Sequence, residues 1–134
     1  MYNPVCFFNR SMTIDEIRKA LYFKKEAYFL DMFGKIKCNQ TTLYSDRNNC
    51  TDRQHIEKWL AINDLLTVAK YVNQSWNPDW ANKNEPKYAI VMRNGSFVPV
   101  KVDTPSSVAY FKSEQDTLQV IAILGEKLLG EIFF

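Results

Sequence analysis

Few side chains in this chain are spaced for chemistry. The single histidine, His55, follows Thr51-Asp52-Arg53-Gln54 with no Gly-x-Ser-x-Gly elbow and no paired Cys/His motif to serve. Gly34, Gly95, Gly125 and Gly130 never cluster, so neither a phosphate-cradling loop nor a dinucleotide fingerprint is present. Cys38, Cys50 and His55, with Cys6 added, make a nominal zinc set. Structural zinc takes its ligands in close pairs such as Cys-x-x-Cys, and no such pair occurs. Isolated thiols are the expectation, and 3 widely spaced cysteines fit a reducing compartment better than a disulfide framework. These residues exclude the common catalytic arrangements. The chain is expected to bind and not to catalyse, with no metal and no cofactor.

One spacing does suggest a binding surface. Arg18, Tyr22, Lys25 and Phe29 recur at i, i+4, i+7 and i+11, so a helix would carry them as one stripe of alternating cation and aromatic. Lys19, Lys24, Lys35 and Lys37 lie nearby. Such a stripe can stack bases and contact phosphates, or form a protein-binding hot spot. The plain alternative is a solvated helix face whose Tyr22 and Phe29 complete the core. A net charge of +2 argues against a strongly basic nucleic-acid coat and equally against an acidic mimic of nucleic acid.

The elements that would position these residues are legible in outline. With 134 residues, one domain spanning 1–134 is expected. Thr13-Ile14-Asp15-Glu16 reads as a capping box. The spacing predicts a helix from there to Phe33, with core stripe Ile14, Ile17, Leu21, Tyr28 and Met32, and Gly34 as a left-handed C-cap. Lys35 to Cys50 is polar and reads as a long connection. A second capping box, Thr51-Asp52-Arg53-Gln54, opens a helix that is apolar all round and therefore expected to be central and buried, ending near Asn73. Tyr88–Met92 and Phe97–Val102 are β-rich runs around Asn94-Gly95, a hairpin signal. Val98, Val100 and Val102 are expected on the core face, and Pro99 implies an edge or bulge. Ser107–Phe111 supplies a third run, and Ser113 caps a last amphipathic helix. The class is α+β: two N-terminal helices, a three-stranded antiparallel meander and a C-terminal covering helix. The first residues, Met1 to Phe8, hold no basic start and no apolar run of about 7–15 residues, so no leader is expected. The apolar run Val120-Ile121-Ala122-Ile123-Leu124 is far below the ~20 residues a membrane span needs.

Between the second helix and the hairpin, Trp76 and Trp80 flank Asn77-Pro78-Asp79, which forces a tight turn. A packed corner is the expected role, with Asp79, Asn82 and Asn84 bonding loop amides. Asn73, Trp76, Pro78, Asp79, Trp80, Asn82, Asn84, Glu85, Lys87 and Tyr88 together resemble a W-x-P-D-W-x-N-x-N-E motif of small phage and prophage proteins of the Bacteroidota. Phe111-Lys112-Ser113-Glu114 matches the helix start of those proteins, and Ser75 departs from them where glycine is common. The resemblance covers residues 59–134. It implies a phage-encoded protein acting in the bacterial host cytoplasm by host takeover or counter-defence. The specific expectation is an anti-CRISPR inhibitor of an RNA-guided, RNA-targeting type VI effector nuclease, with that host protein as partner. A single-stranded nucleic-acid-binding protein and an accessory phage structural protein remain the alternatives.

Overall fold

The structure, a computed structural model, describes residues 12–22, 26–39 and 46–133. In chain order it holds α1 (Ile14–Tyr22), β1 (Ala27–Leu30), β2 (Ile36–Asn39), a 3-10 turn (Asp46–Asn48), α2 (Arg53–Asn73), β3 (Tyr88–Arg93), β4 (Ser96–Lys101) and α3 (Glu114–Phe133). The class is α+β, but the strands form two separate antiparallel hairpins, β1-β2 and β3-β4, and no meander. The chain packs as two compact units, Met1–Ile56 and Glu57–Phe134.

In the first unit the predicted helix stops early. Thr13 caps it as expected, its Oγ1 accepting the Glu16 N–H at 3.2 Å. After Tyr22, however, the chain forms β1 and β2, paired Ala27↔Asn39 through Leu30↔Ile36. Ala-Tyr-Phe-Leu suits a pleated, half-buried surface, and Asp31 supplies the turn. Its Oδ1 accepts the Phe33 and Lys35 N–H groups at 2.8 and 2.9 Å. Gly34 is left-handed, with φ 76°, but closes a hairpin and caps no helix. On the far side of β1, Tyr28 exchanges both backbone bonds with Cys50 at 3.0 and 2.8 Å. The order across this small sheet is therefore β2, β1, Cys50. Among the described residues, Ala27, Phe29, Cys50 and Ile56 are the buried apolar side chains here. The predicted core stripe is not among them, because Ile14, Ile17, Leu21 and Met32 all lie exposed.

The Asp31 turn has a pH signature. Bonds from the Lys35 and Phe33 N–H groups hold the Asp31 carboxyl below the usual carboxylate range, the Lys35 bond contributing most. A depressed folded value stabilises the turn above the unfolded carboxylate pKa, and that stability is lost as pH falls through the folded one. Protection of the Phe33 and Lys35 amides from hydrogen exchange should therefore fall on acidification. Asp31→Asn keeps the accepting oxygen and should remove this pH dependence.

Asp52, not Thr51, caps α2 at the end of the first unit, its Oδ1 accepting the His55 N–H at 2.8 Å, and the helix runs on into the second unit, Glu57–Phe134. Within this unit α2 buries Ala61, Leu65 and Ala69 and leaves Trp59, Leu66 and Tyr71 in solvent, so it is not buried all round. The β3-β4 hairpin forms as expected, with Asn94 and Gly95 at φ 50° and 80°, the pair of left-handed residues a two-residue type I′ turn demands. Closing the turn on Arg93↔Ser96 sets the parity. Ile90, Met92 and Phe97 then join the core, while Val98 and Val100 pair with Val91 and Ala89 on the opposite face. The expected core valines are on the wrong face because Phe97, the larger side chain, takes the inside. Of the third run only Phe111 pairs, exchanging bonds with Tyr88 at 2.8 and 2.9 Å on the side of β3 away from β4. Pro99 lies opposite Ile90 on β4, at the sheet edge, as its missing donor requires.

Ser113 caps α3, accepting the Asp116 N–H at 3.1 Å. At Gly125 the backbone leaves helical geometry, with φ 83° and ψ 162°, and helix resumes beyond it. Val120, Leu129 and Ile132 from the two halves meet Phe111, Leu65 and Ile90 in one core. Among the described residues no helix is long and apolar enough to cross a membrane.

Candidate functional site

The predicted cation–aromatic stripe does not assemble. Arg18 and Tyr22 stand on α1, where Arg18 Nη1 donates to Asp15 Oδ1 at 2.9 Å and the Tyr22 hydroxyl donates to the Asn49 carbonyl at 2.9 Å. Phe29 sits on β1 and is 4% exposed. Lys25 lies outside the described residues. The helical period ends at Tyr22, so the spacing that joined the four has no helix to carry it.

Nor do the thiols gather. Cys38 and Cys50 flank Tyr28 on opposite sides, two strand spacings apart, about 10 Å. A disulfide needs Cα atoms within about 7 Å. Among the described residues no group of three or more His, Cys, Asp or Glu side chains could hold a metal ion, and Cys6 lies outside them. Loss of hydration raises the Cys38 thiol, helped by Glu26, whose Oε2 accepts from Sγ at 3.6 Å. Burial likewise raises Cys50, with Asp52 adding to it. Both are thiols, not thiolates, at neutral pH, which makes them poor nucleophiles and metal ligands.

The tryptophan corner is a bonded loop. Asp79 Oδ1 accepts the Ala81 N–H at 3.1 Å, Asn82 Oδ1 the Asn84 N–H at 3.0 Å, and Glu85 Oε1 the Asp79 N–H at 2.8 Å. Trp80 meets Tyr110 edge to face at 4.8 Å, and Asn73 Nδ2 donates to the Tyr110 carbonyl at 2.8 Å. Trp76 and Pro78 are half-buried. At the centre is Lys87, only 3% exposed. Its ammonium donates to the carbonyls of Asn82 and Glu85 at 2.9 and 3.1 Å, lies 3.5 Å from the Glu85 carboxylate and sits 5.4 Å above the Trp80 ring. A buried charge is tolerated only when paired and bonded in this way. The motif thus accounts for itself as architecture. The adjoining cleft of about 340 Å³ sets Lys83 and Lys101 against Asp103 and Glu85, so it offers no field of one sign to a charged ligand.

What stands out is apolar surface. The first unit leaves Ile14, Ile17 and Leu21 in water along α1, and Met32 and Phe33 at the turn between β1 and β2. The last two are 85% and 79% exposed. Asp31 fixes the turn that presents them, so little ordering would be lost on docking. Fully burying both side chains would return roughly 3–6 kcal/mol. The sequence reading identified the α1 residues but assigned them to the core. It placed Met32 in the same core stripe and Phe33 at the helix end, and missed the turn signalled by Asp31 and Gly34 on either side of them.

No protein-family model, curated protein or solved structure matches the chain.

Proposed function

We propose that this chain is a non-enzymatic binding protein that holds a partner protein through the apolar side chains of its Met1–Ile56 unit. The observation that supports this reading is the turn itself, two large apolar residues held in solvent by a fixed hairpin. Proteins of this size seldom leave such residues clustered in water without a use for them. Nucleic acid is less favoured, since the stripe of cations and aromatics is dismantled and phosphate binding depends on arrayed cations. A membrane is also less favoured. Two lysines near the turn would add only about 1 kcal/mol each at an anionic surface, and a single acyl chain already gives no more than marginal attachment.

The narrower reading is a phage counter-defence protein that inhibits an RNA-guided, RNA-targeting effector nuclease. It rests on the W-x-P-D-W-x-N-x-N-E resemblance. Purified chain titrated into purified type VI effector with its guide should block target-RNA cleavage, and the complex should survive nuclease treatment and physiological salt. Undiminished cleavage at saturating chain would sink the narrow reading. Binding to RNA alone with a steep loss on adding salt would replace the broad one.

A further inference from the structure

Among the described residues, the bonding pattern of the first hairpin leaves one strand edge open. Asp31 N–H donates to the Lys35 carbonyl at 2.9 Å, so that pair faces inward. Antiparallel ladders alternate bonded and non-bonded pairs. With Phe29↔Lys37 and Ala27↔Asn39 next in register, those pairs are bonded, while Leu30↔Ile36 and Tyr28↔Cys38 are not. Tyr28 agrees, since its N–H and C=O turn the other way, to Cys50. The backbone N–H and C=O groups of Ile36 and Cys38 therefore point out of the sheet along the free side of β2. Side chains alternate along the same edge: Lys35 and Lys37 on one face, Ile36 and Cys38 on the other.

We infer that the free edge of β2 binds an extended segment of the partner protein as an added strand, one in which acidic residues alternate with apolar ones. This rests on the proposed reading as a protein-binding chain and names the partner's chemistry. Backbone bonds to Ile36 and Cys38 would hold the strand. Period-two side chains would set acidic groups beside the exposed Lys35 and Lys37 and apolar groups beside the half-exposed Ile36. Glu26, against Cys38 at 3.6 Å, places the acidic preference at the Lys35 end. The same lysines disfavour a second copy, because two such edges side by side would oppose like charges.

The probe is a short capped peptide alternating valine and glutamate, with a valine–lysine peptide as control. The full chain should bind the glutamate peptide at least about tenfold more tightly (a 1.4 kcal/mol difference), and hydrogen exchange should slow at the Ile36 and Cys38 amides. Ile36→Pro removes an outward donor and leaves the inward ladder intact, so it should cost about tenfold or more in affinity. Should that variant lose protection at Lys37, and so the hairpin, a glutamate peptide with alternate amides N-methylated gives the same test from the partner's side. Lys35→Glu with Lys37→Glu should reverse the preference to the lysine peptide. Equal binding of both peptides, protection elsewhere, or an Ile36→Pro chain that binds as well as the parent would overturn the inference. So would self-association abolished by Ile36→Pro, which would give the edge to a second copy. If the peptide fails while loss of Met32 and Phe33 still releases the partner, only this inference falls. If the peptide binds at the edge but the partner stays bound when Met32 and Phe33, and then Ile14, Ile17 and Leu21, are replaced by serine, the proposed reading falls.

Discussion

Phe111→Ala should lower the unfolding free energy of the Glu57–Phe134 unit by about 3–5 kcal/mol, measured by urea titration at neutral pH. Phe111 is 0% exposed and the largest fully buried side chain among the described residues. Its backbone also closes the sheet, bonded both ways to Tyr88. Those bonds survive truncation, so the loss reports packing alone: a cavity among Leu65, Ile90, Val120 and Leu129, which come from three different elements and cannot all close in. Small domains have about 5–15 kcal/mol in total, so the variant should be near the limit of folding at body temperature. Phe111→Leu, which keeps most of the volume, should cost far less. A shift under about 1 kcal/mol for the alanine would mean that Phe111 is not the keystone of this core.

Met32→Ser with Phe33→Ser should do the opposite, leaving stability unchanged and removing the partner. Both side chains are in solvent, and such substitutions usually stay within about 0.5 kcal/mol. If a partner pocket buries both, the lost transfer free energy of roughly 3 kcal/mol or more corresponds to about a hundredfold weaker binding. Paired calorimetric titrations and thermal melts check the two halves together. Unchanged affinity would remove the turn from the interface and direct attention to Ile14, Ile17 and Leu21 on α1.

What the sequence revealed and what it hid have physical reasons. Asn94-Gly95 was legible because only a left-handed pair fits that turn, and Thr13 because caps act within one helical turn. The span from Tyr22 to Phe33 was misread because Tyr28 and Met32 fall at helical spacing by coincidence, and a four-residue strand is too short to show a period of its own. Asp31 and Gly34 mark a turn as well as a helix exit, and the chain used the turn. For α2 an even spread of apolar residues was taken as burial, but burial depends on what packs against each side. The role of Lys87 was not legible at all. Nothing in a lysine before a strand shows that three loop oxygens will close around it.

The break at Gly125 works as a phase shift. In an unbroken α-helix Leu129 would lie about half a turn around the axis from Val120, and Glu131 almost in line with it. Yet Val120 and Leu129 are both fully buried in one core. The glycine re-zeroes the rotation, so that the second half of α3 turns Leu129 and Ile132 inward, where a continuous helix would have aimed a carboxylate. A methyl group added there would meet nothing within 4 Å, so crowding is not the constraint. The constraint is the backbone angle, φ 83° with ψ 162°, which side-chain-bearing residues resist. Straightening the helix at this one position would therefore be felt at Leu129 and Ile132, not at residue 125 itself.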